Sequence, residues 1–166
     1  HTMGNISGNH DQVRFASVAG GGISLNEDGK EAGWTRKIGI VAENDMDNIE
    51  KIDQAYKRAL LLEVINLTIP GVPCIYQGDE YAEVGGNDPD NRHMMRFDNL
   101  SDKEKQFRQE VQKLIKLRRE SMPLLYGEYI PVEVSNDKLV FDRTYLGQTI
   151  RITIDREGLT YSIEYK

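Results

Sequence analysis

Two short apolar segments, each followed by a cluster of polar residues, flank a long helical pattern in this chain. The segments run from Met3 to Ser7 and from Val72 to Gln77, and the second is typical of a buried parallel strand. Between them, residues 47–69 place apolar side chains three and four positions apart, as in a helix, and Pro70 ends that pattern. A strand, a helix and a second strand form a βαβ unit, whose right-handed crossover makes the two strands parallel. The sequence therefore predicts an α/β fold, with both polar clusters at one edge of the sheet.

The polar clusters are candidate functional positions. The first cluster contains Asn9, His10, Asp11 and Arg14, and the second places Glu80 just after a strand. Barrels of alternating strands and helices present their chemistry at the C-terminal ends of strands, because the strand fixes the backbone and the loop carries the side chains. Each cluster alone is a weak indication of a site, and the two clusters together are a stronger one.

The segment between Gly20 and Asp47 is polar and opens with three consecutive glycines. A connection of this length is uncommon unless it covers a site or is mobile. It is interpreted either as a solvated insertion or as a lid, with a short strand or helical turn at residues 38–41.

The C-terminal part of the chain changes from a helical to an alternating pattern. Ser101 and Glu104 form a capping-box pattern that opens an amphipathic helix ending near Ser121. Beyond Pro123, four segments within residues 128–165 alternate apolar and polar side chains and are separated by turn residues. We therefore expect two domains, residues 1–122 and a small antiparallel β domain at residues 123–166.

Composition excludes several classes of function. The chain of 166 residues is 39% hydrophobic and 29% charged, which is typical of a folded globular protein. Its net charge of −6, without a basic tract, argues against a nucleic-acid partner, and no apolar run approaches the ~20 residues of a membrane span. Cys74 is the single cysteine, so no internal disulfide can form. The chain begins within a strand-like pattern, and we expect it to be a piece of a longer protein.

Three motifs follow one another along the chain. They are Asn9-His10-Asp11-x-x-Arg14, then Gly71-x-Pro73-x-x-x-x-Gly78-x-Glu80, then Asn87-Asp88-Pro89-Asp90-Asn91-Arg92. Together with the helices and the β domain around them, these motifs resemble the α-amylase family of glycoside hydrolases (family 13). The resemblance implies the C-terminal portion of a (β/α)8 TIM barrel, comprising strand 7, helix 7, strand 8 and helix 8, followed by the small β domain.

The resemblance also implies a role for individual residues. Asp11 would be the third catalytic carboxylate, which binds sugar hydroxyls and helps to distort the ring. His10 would bond to hydroxyls of the sugar at the cleavage point. Asp88 and Arg92 would contact a glucose further toward the non-reducing end. Carboxylates and forked guanidinium donors suit a polyhydroxy ligand, because they make charge-assisted hydrogen bonds.

Three further residues are interpreted as supporting this site: Asn9, Arg14 and Glu80. Alternatively, Glu80 caps its own loop, and Arg14 forms an ion pair with Asp11 or Glu80. Asp90 and Asn91 are interpreted as turn formers.

The implied parent is a retaining enzyme that cleaves α-glucosidic bonds in starch-like or maltooligosaccharide substrates. Retaining glycosidases need a nucleophile and an acid/base carboxylate about 5 to 5.5 Å apart, and in this family both come from motifs upstream of residue 1. The chain alone is therefore expected to be inactive and to need the missing N-terminal part of the barrel as its partner. No cofactor is expected in this piece, because the family's structural calcium ligands lie mainly upstream.

Other interpretations stay open at this stage. One alternative is a non-catalytic carbohydrate-binding or structural relative. The intact sugar-contacting set argues against it, since a purely structural descendant would have no reason to keep that set. A metal-dependent phosphohydrolase would need histidines at ligand spacing, which His1 and His93 do not provide. The sequence does not distinguish between starch, a cyclic dextrin, pullulan and a short maltooligosaccharide as the substrate. It also does not distinguish hydrolysis from transglycosylation.

Overall fold

The computed structural model describes residues 3–24 and 26–166, so His1 lies outside the described residues. The elements of the described part, in chain order, are β1 (Gly4–Ile6), α1 (Phe15–Gly20), α2 (Gly29–Thr35), α3 (Ile49–Thr68), β2 (Val72–Cys74), α4 (Asp102–Glu120), α5 (Met122–Tyr126), β3 (Glu128–Val134), β4 (Lys138–Tyr145), β5 (Gln148–Asp155) and β6 (Thr160–Tyr165). Single 3-10 turns lie at Glu43–Asp45 and Asp79–Tyr81. In these residue ranges, no helix combines the length and the apolar character that crossing a membrane requires.

The predicted βαβ unit is confirmed, with strands shorter than the sequence suggested. β1 and β2 are parallel, with Gly4 opposite Val72. α3 begins after Asn48, whose side chain accepts a hydrogen bond from the backbone N–H of Lys51. Because the strands are parallel neighbours, the polar clusters that follow them leave the same edge of the sheet.

The expectation of a buried second strand is wrong for this chain. Val72 is 57% exposed, and Cys74 is exposed as well. Among the described residues this sheet contains only β1 and β2, so neither strand has a neighbour on its other side. An apolar parallel strand normally lies between other strands with both faces covered. The apolar sequence of β2 therefore indicates a more extensive sheet than these two strands provide.

The long polar segment between α1 and α3 is folded and packed. Asp28 caps α2 by accepting two backbone hydrogen bonds, and Gly33 lies so close to the third motif that a Cβ there would be 2.6 Å from the Cβ of Asp90. Gly21 and Val41 form an isolated antiparallel bridge, close to the expected short strand. The interpretation as a solvated insertion is therefore wrong.

α4 opens with the predicted capping box. The Ser101 hydroxyl accepts a hydrogen bond from the Glu104 N–H, and the Glu104 carboxylate accepts one from the Ser101 N–H at 2.7 Å. Phe107 and Val111 form part of its buried apolar stripe. The chain then continues into α5 with Pro123 in the first turn, an element that the sequence analysis missed. Proline is tolerated there because a helix leaves its first N–H groups without intrahelical partners.

The four predicted C-terminal strands form an antiparallel meander in the order β3-β4-β5-β6. Ile150, Ile152 and Ile154 on β5 alternate toward the interior and are buried with Phe141 of β4. The same hydrophobic core includes side chains of α3, α4 and α5. The antiparallel sheet is confirmed, whereas the division into domains at residues 1–122 and 123–166 stays a prediction.

Two buried arginines satisfy backbone carbonyls at the C-terminal end of α3. Arg118 of α4 donates to the carbonyl of Leu67 at 2.7 Å. Arg143 of β4 donates to the carbonyl of Thr68 and, at 2.9 Å, to that of Gly127. Burial, aided by the charge of Arg118, lowers the pKa of Arg143 to about 10. Because the last carbonyls of a helix lack partners within it, these guanidinium groups tie the sheet and α4 to α3.

Candidate functional site

His10 and Asp11 lie in an exposed turn directly beyond β1. Asn9 Oδ1 accepts a hydrogen bond from the Asp11 N–H at 2.8 Å, which fixes the turn locally. His10 Nε2 lies 3.2 Å from Asp11 Oδ2. The two side chains are 60% and 67% exposed, so both are accessible to a ligand.

Arg92 joins this turn to the third motif. Its Nη2 lies 3.2 Å from Asp11 Oδ1, and its Nε lies 2.8 Å from Asp88 Oδ1. Its Nε also donates to the backbone carbonyl of His10 at 3.3 Å. The structure thus brings all four predicted sugar-contacting residues into one patch, which we call the polar patch: His10, Asp11, Asp88 and Arg92. Their role in sugar binding stays a prediction.

A buried arginine lies beneath the polar patch. Arg14 Nη1 donates to the carbonyl of Gln77 at 2.6 Å and to Asp79 Oδ1 at 3.0 Å, and its Nη2 donates to the carbonyl of Asn91 at 2.8 Å. The guanidinium carbon also lies 4.2 Å from the centre of the Tyr76 ring. Arg14 therefore connects the segments that follow β1 and β2 with the third motif.

The ion-pair partner expected for Arg14, either Asp11 or Glu80, is corrected to Asp79. Arg14 is buried, whereas Asp11 is exposed and engaged with other groups. Glu80 instead accepts a hydrogen bond from the Gly78 N–H at 2.7 Å, which caps its own turn. That turn requires a glycine, because Gly78 has a φ of 93°.

Two carboxyl groups here were not among the predicted site residues: Asp79 of this ion pair, which is largely buried, and Glu63, which is buried. Burial raises the pKa of Asp79 to about 6, although the Arg14 guanidinium opposes the shift. Burial, together with the charge of Asp79, raises the pKa of Glu63 on α3 to about 7. Among the described residues, Glu63 Oε2 has no hydrogen-bond partner. The sequence could have singled out Glu63, because it is a charged residue at a position in the apolar stripe of the helix.

The third motif is held in place by its own backbone and by α2. The Asn87 N–H donates to the carbonyl of Gly29 at 2.9 Å. Asp90 Oδ2 accepts a hydrogen bond from the Gly86 N–H at 2.6 Å, in agreement with its interpretation as a turn former. Asn91 has no exposed surface, which the turn-former interpretation did not anticipate.

The chain is similar to known proteins over most of its length, although no protein-family model matches it. The cyclomaltodextrinase of Geobacillus thermopakistaniensis is 28% identical over 156 residues, which cover 93% of this chain and 21% of that protein. The maltogenic α-amylase of Bacillus acidopullulyticus is 34% identical over 124 residues, which cover 72% of this chain and 19% of that protein. A solved structure of an Anoxybacillus α-amylase matches with 26% identity and a TM-score of 0.66, covering 93% of this chain and 27% of that one.

By its relatives, the chain belongs to the α-amylase family (glycoside hydrolase family 13). It spans about a fifth of the length of the curated α-amylase-family relatives it matches. The solved α-amylase matches nearly the whole chain, so the helical part and the antiparallel sheet occur together in both proteins.

In this α-amylase-family chain, a cleft in the described part lies apart from the polar patch. It has a volume of about 840 Å³, lies between α3 and the turns of the sheet, and contains none of the predicted site residues. Within residues 3–24 and 26–166, no three His, Cys, Asp or Glu side chains are grouped so that they could hold a metal ion.

Proposed function

We propose that the chain is the C-terminal part of the catalytic (β/α)8 barrel of an α-glucan-active glycoside hydrolase, followed by its small β domain. β1, α3, β2 and α4 would be strand 7, helix 7, strand 8 and helix 8. Residues 1–122 would belong to the barrel and residues 123–166 to the β domain. The parallel pairing of β1 and β2 supports this assignment, because barrel strands are parallel and each is followed by a helix.

The observation that carries the proposal is the convergence of the polar patch at the edge where β1 ends. Asp11 and Asp88 are joined through Arg92 by contacts of 3.2 and 2.8 Å. Such an arrangement presents several charged acceptors and donors to a polyhydroxy ligand. The matched relatives support an α-glucan as that ligand, since they include a cyclomaltodextrinase and a maltogenic α-amylase.

In the proposed reaction, Asp11 would accept hydrogen bonds from hydroxyls of the sugar whose bond is cleaved. These bonds would strengthen as the ring flattens toward an oxocarbenium-like transition state, so they lower the barrier. His10 would contact the same sugar, and Asp88 with Arg92 would hold a glucose further along the chain of sugars. The nucleophile and the acid/base would come from the remainder of the barrel, and no step requires a metal in this chain.

The test is to assay the full-length protein that carries this chain with maltoheptaose and with a cyclic maltodextrin. A retaining α-glucosidic mechanism predicts that cleavage releases the α-anomer of the product. NMR detects which anomer forms first. Cellohexaose, which has β-linkages, is the matched control and should not be cleaved. Failure of the full-length protein to cleave any α-glucan would overturn the proposal. The products formed with added glucose as acceptor would distinguish hydrolysis from transglycosylation.

A further inference from the structure

Asn91 connects the two loops that carry the polar patch. Its side-chain Nδ2 donates to the carbonyl of Asn9 at 3.1 Å and to the carbonyl of Gln12 at 2.6 Å. These carbonyls stand at the two ends of the turn that holds Asp11. Asn91 immediately precedes Arg92 in the chain, so one buried amide fixes both the turn and the arginine.

The chemistry of the contact requires an amide at this position. Both partners are carbonyl oxygens, and a primary amide supplies two N–H donors from one nitrogen. A carboxylate of the same shape would bring its oxygens toward two carbonyl oxygens in a buried place, which is unfavourable. Among the described residues, Asn91 Oδ1 has no hydrogen-bond partner, so the orientation of the amide follows from its two donor contacts alone.

The direct link between the Asp11 and Arg92 side chains is weak. Their direct ion pair is 3.2 Å long, and the side chains are 67% and 47% exposed. Exposed ion pairs of this kind contribute little, because water and salt screen them. The hydrogen bonds of the buried Asn91 amide, together with the bond that Arg14 donates to the Asn91 carbonyl, are therefore the contacts best placed to keep the two loops in register.

We propose that Asn91 is a positioning residue, which holds the turn of residues 9–12 against Arg92 so that Asp11 and Arg92 engage one sugar chain at a fixed separation. The effect on catalysis rests on the proposed function, whereas the effect on the turn does not. Small displacements of a group that acts in the transition state lower turnover steeply, even when the substrate still binds.

The experiment compares Asn91→Asp and Asn91→Ala with wild type in the full-length protein. Asn136→Asp, in the exposed turn between β3 and β4, is the matched control. Hydrogen exchange is measured by mass spectrometry for peptide 8–14, in which the N–H groups of Asp11 and Arg14 are hydrogen bonded, and for a peptide of α4. Steady-state kinetics with maltoheptaose provide kcat and KM.

Both Asn91 variants should exchange about tenfold or more faster in peptide 8–14 with unchanged exchange in α4. Their kcat should fall by about 10- to 100-fold while KM changes by less than about threefold. Unchanged exchange in peptide 8–14, faster exchange with a wild-type kcat, or loss of protection throughout α4 would each overturn the positioning role. If wild type cleaves no α-glucan, the proposed function fails, and the exchange data still decide whether Asn91 holds the turn.

Discussion

Arg92 Nη2 donates to Asp11 Oδ1 at 3.2 Å, although the two residues are 81 positions apart in the chain. Arg92 also contacts Asp88, so one cation is shared by two carboxylates and the group as a whole keeps one negative charge. A sugar that approaches this group meets acceptors and donors already held by one another. Because the pair is exposed, its main effect is to orient the side chains and not to stabilise the fold.

Asp11→Asn in the full-length protein should lower kcat by about 10²- to 10³-fold with little change in KM. In the proposed reaction the carboxylate contacts strengthen in the transition state, so their loss would affect turnover more than ground-state binding. Steady-state kinetics with a short and a long maltooligosaccharide provide the measurement. Asp137→Asn, in a distant exposed turn, is the control and should behave as wild type. Near-normal turnover in Asp11→Asn would remove Asp11 from the catalytic residues.

Arg92→Ala should raise KM for maltoheptaose more than for maltotriose. Its proposed ligand is a glucose remote from the cleaved bond, which the shorter substrate does not fully occupy. The comparison of KM for the two substrates is the measurement. Arg36→Ala, which removes a surface pair with Glu27, is the matched control. Equal effects of Arg92→Ala on both substrates would contradict the assignment to a remote glucose.

Glu63→Gln should stabilise the folded protein above pH 7 and change its stability little below pH 4.5. The pKa of Glu63 is about 7 in the folded chain, against 4.5 for an ordinary glutamate. The folded state therefore holds a proton more tightly, and wild-type stability falls as pH rises through this range, by about 3 kcal/mol in total. The measurement is Tm from pH 4 to 8, with Glu50→Gln as an exposed control on the same helix. Parallel pH profiles of wild type and Glu63→Gln would contradict this prediction.

Arg143→Met should destabilise the protein by about 2 to 5 kcal/mol. The change leaves the carbonyls of Thr68 and Gly127 without their buried donor. Arg151→Met on the neighbouring strand removes only the partly exposed pair with Asp142 and should cost less than about 1 kcal/mol. Denaturant unfolding of both variants compares the two costs. Similar losses of stability in the two variants would contradict the prediction that burial of the Arg143 guanidinium determines the cost of its removal.

The isolated chain should self-associate. β1 and β2 have free strand edges among the described residues, and Met3, Ile6 and Val72 expose apolar side chains beside them. Light scattering of the chain alone is expected to show dimers or larger species. A stable monomer that melts cooperatively would contradict the proposal that these edges belong to a larger barrel.

The antiparallel sheet was predictable because each strand carries its own signal. On β5, Ile150, Ile152 and Ile154 alternate with Arg151 and Thr153, and the isoleucines are the buried residues. The capping box of α4 is equally local, since its two residues satisfy each other. Such local patterns depend only on the side-chain period of a helix or strand, and the spacing of residues in the sequence shows that period directly.

The features that the sequence did not predict depend on partners far along the chain. α2 contains two glycines, Gly29 and Gly33, and its short polar sequence has no strong helical pattern. Its packing against the third motif needs residues more than fifty positions away. Asn91 looked like a turn former because the carbonyls it binds belong to Asn9 and Gln12, 82 and 79 positions earlier. Burial of this kind follows from the fold and from no local pattern.

α2 and the loop that holds the third motif approach each other too closely for side chains at the contact. A Cβ on Gly86 would lie 2.4 Å from the carbonyl oxygen of Gly29, and one on Gly33 would lie 2.6 Å from the Cβ of Asp90. A library that randomises this segment to alter the preferred oligosaccharide length should therefore keep the three glycines fixed. Diversity belongs at outward positions such as Lys30 and Trp34, which are exposed. A side chain at Gly33 or Gly86 would push the loop that carries Asp88 away from the helix, and one at Gly29 would clash with Val13.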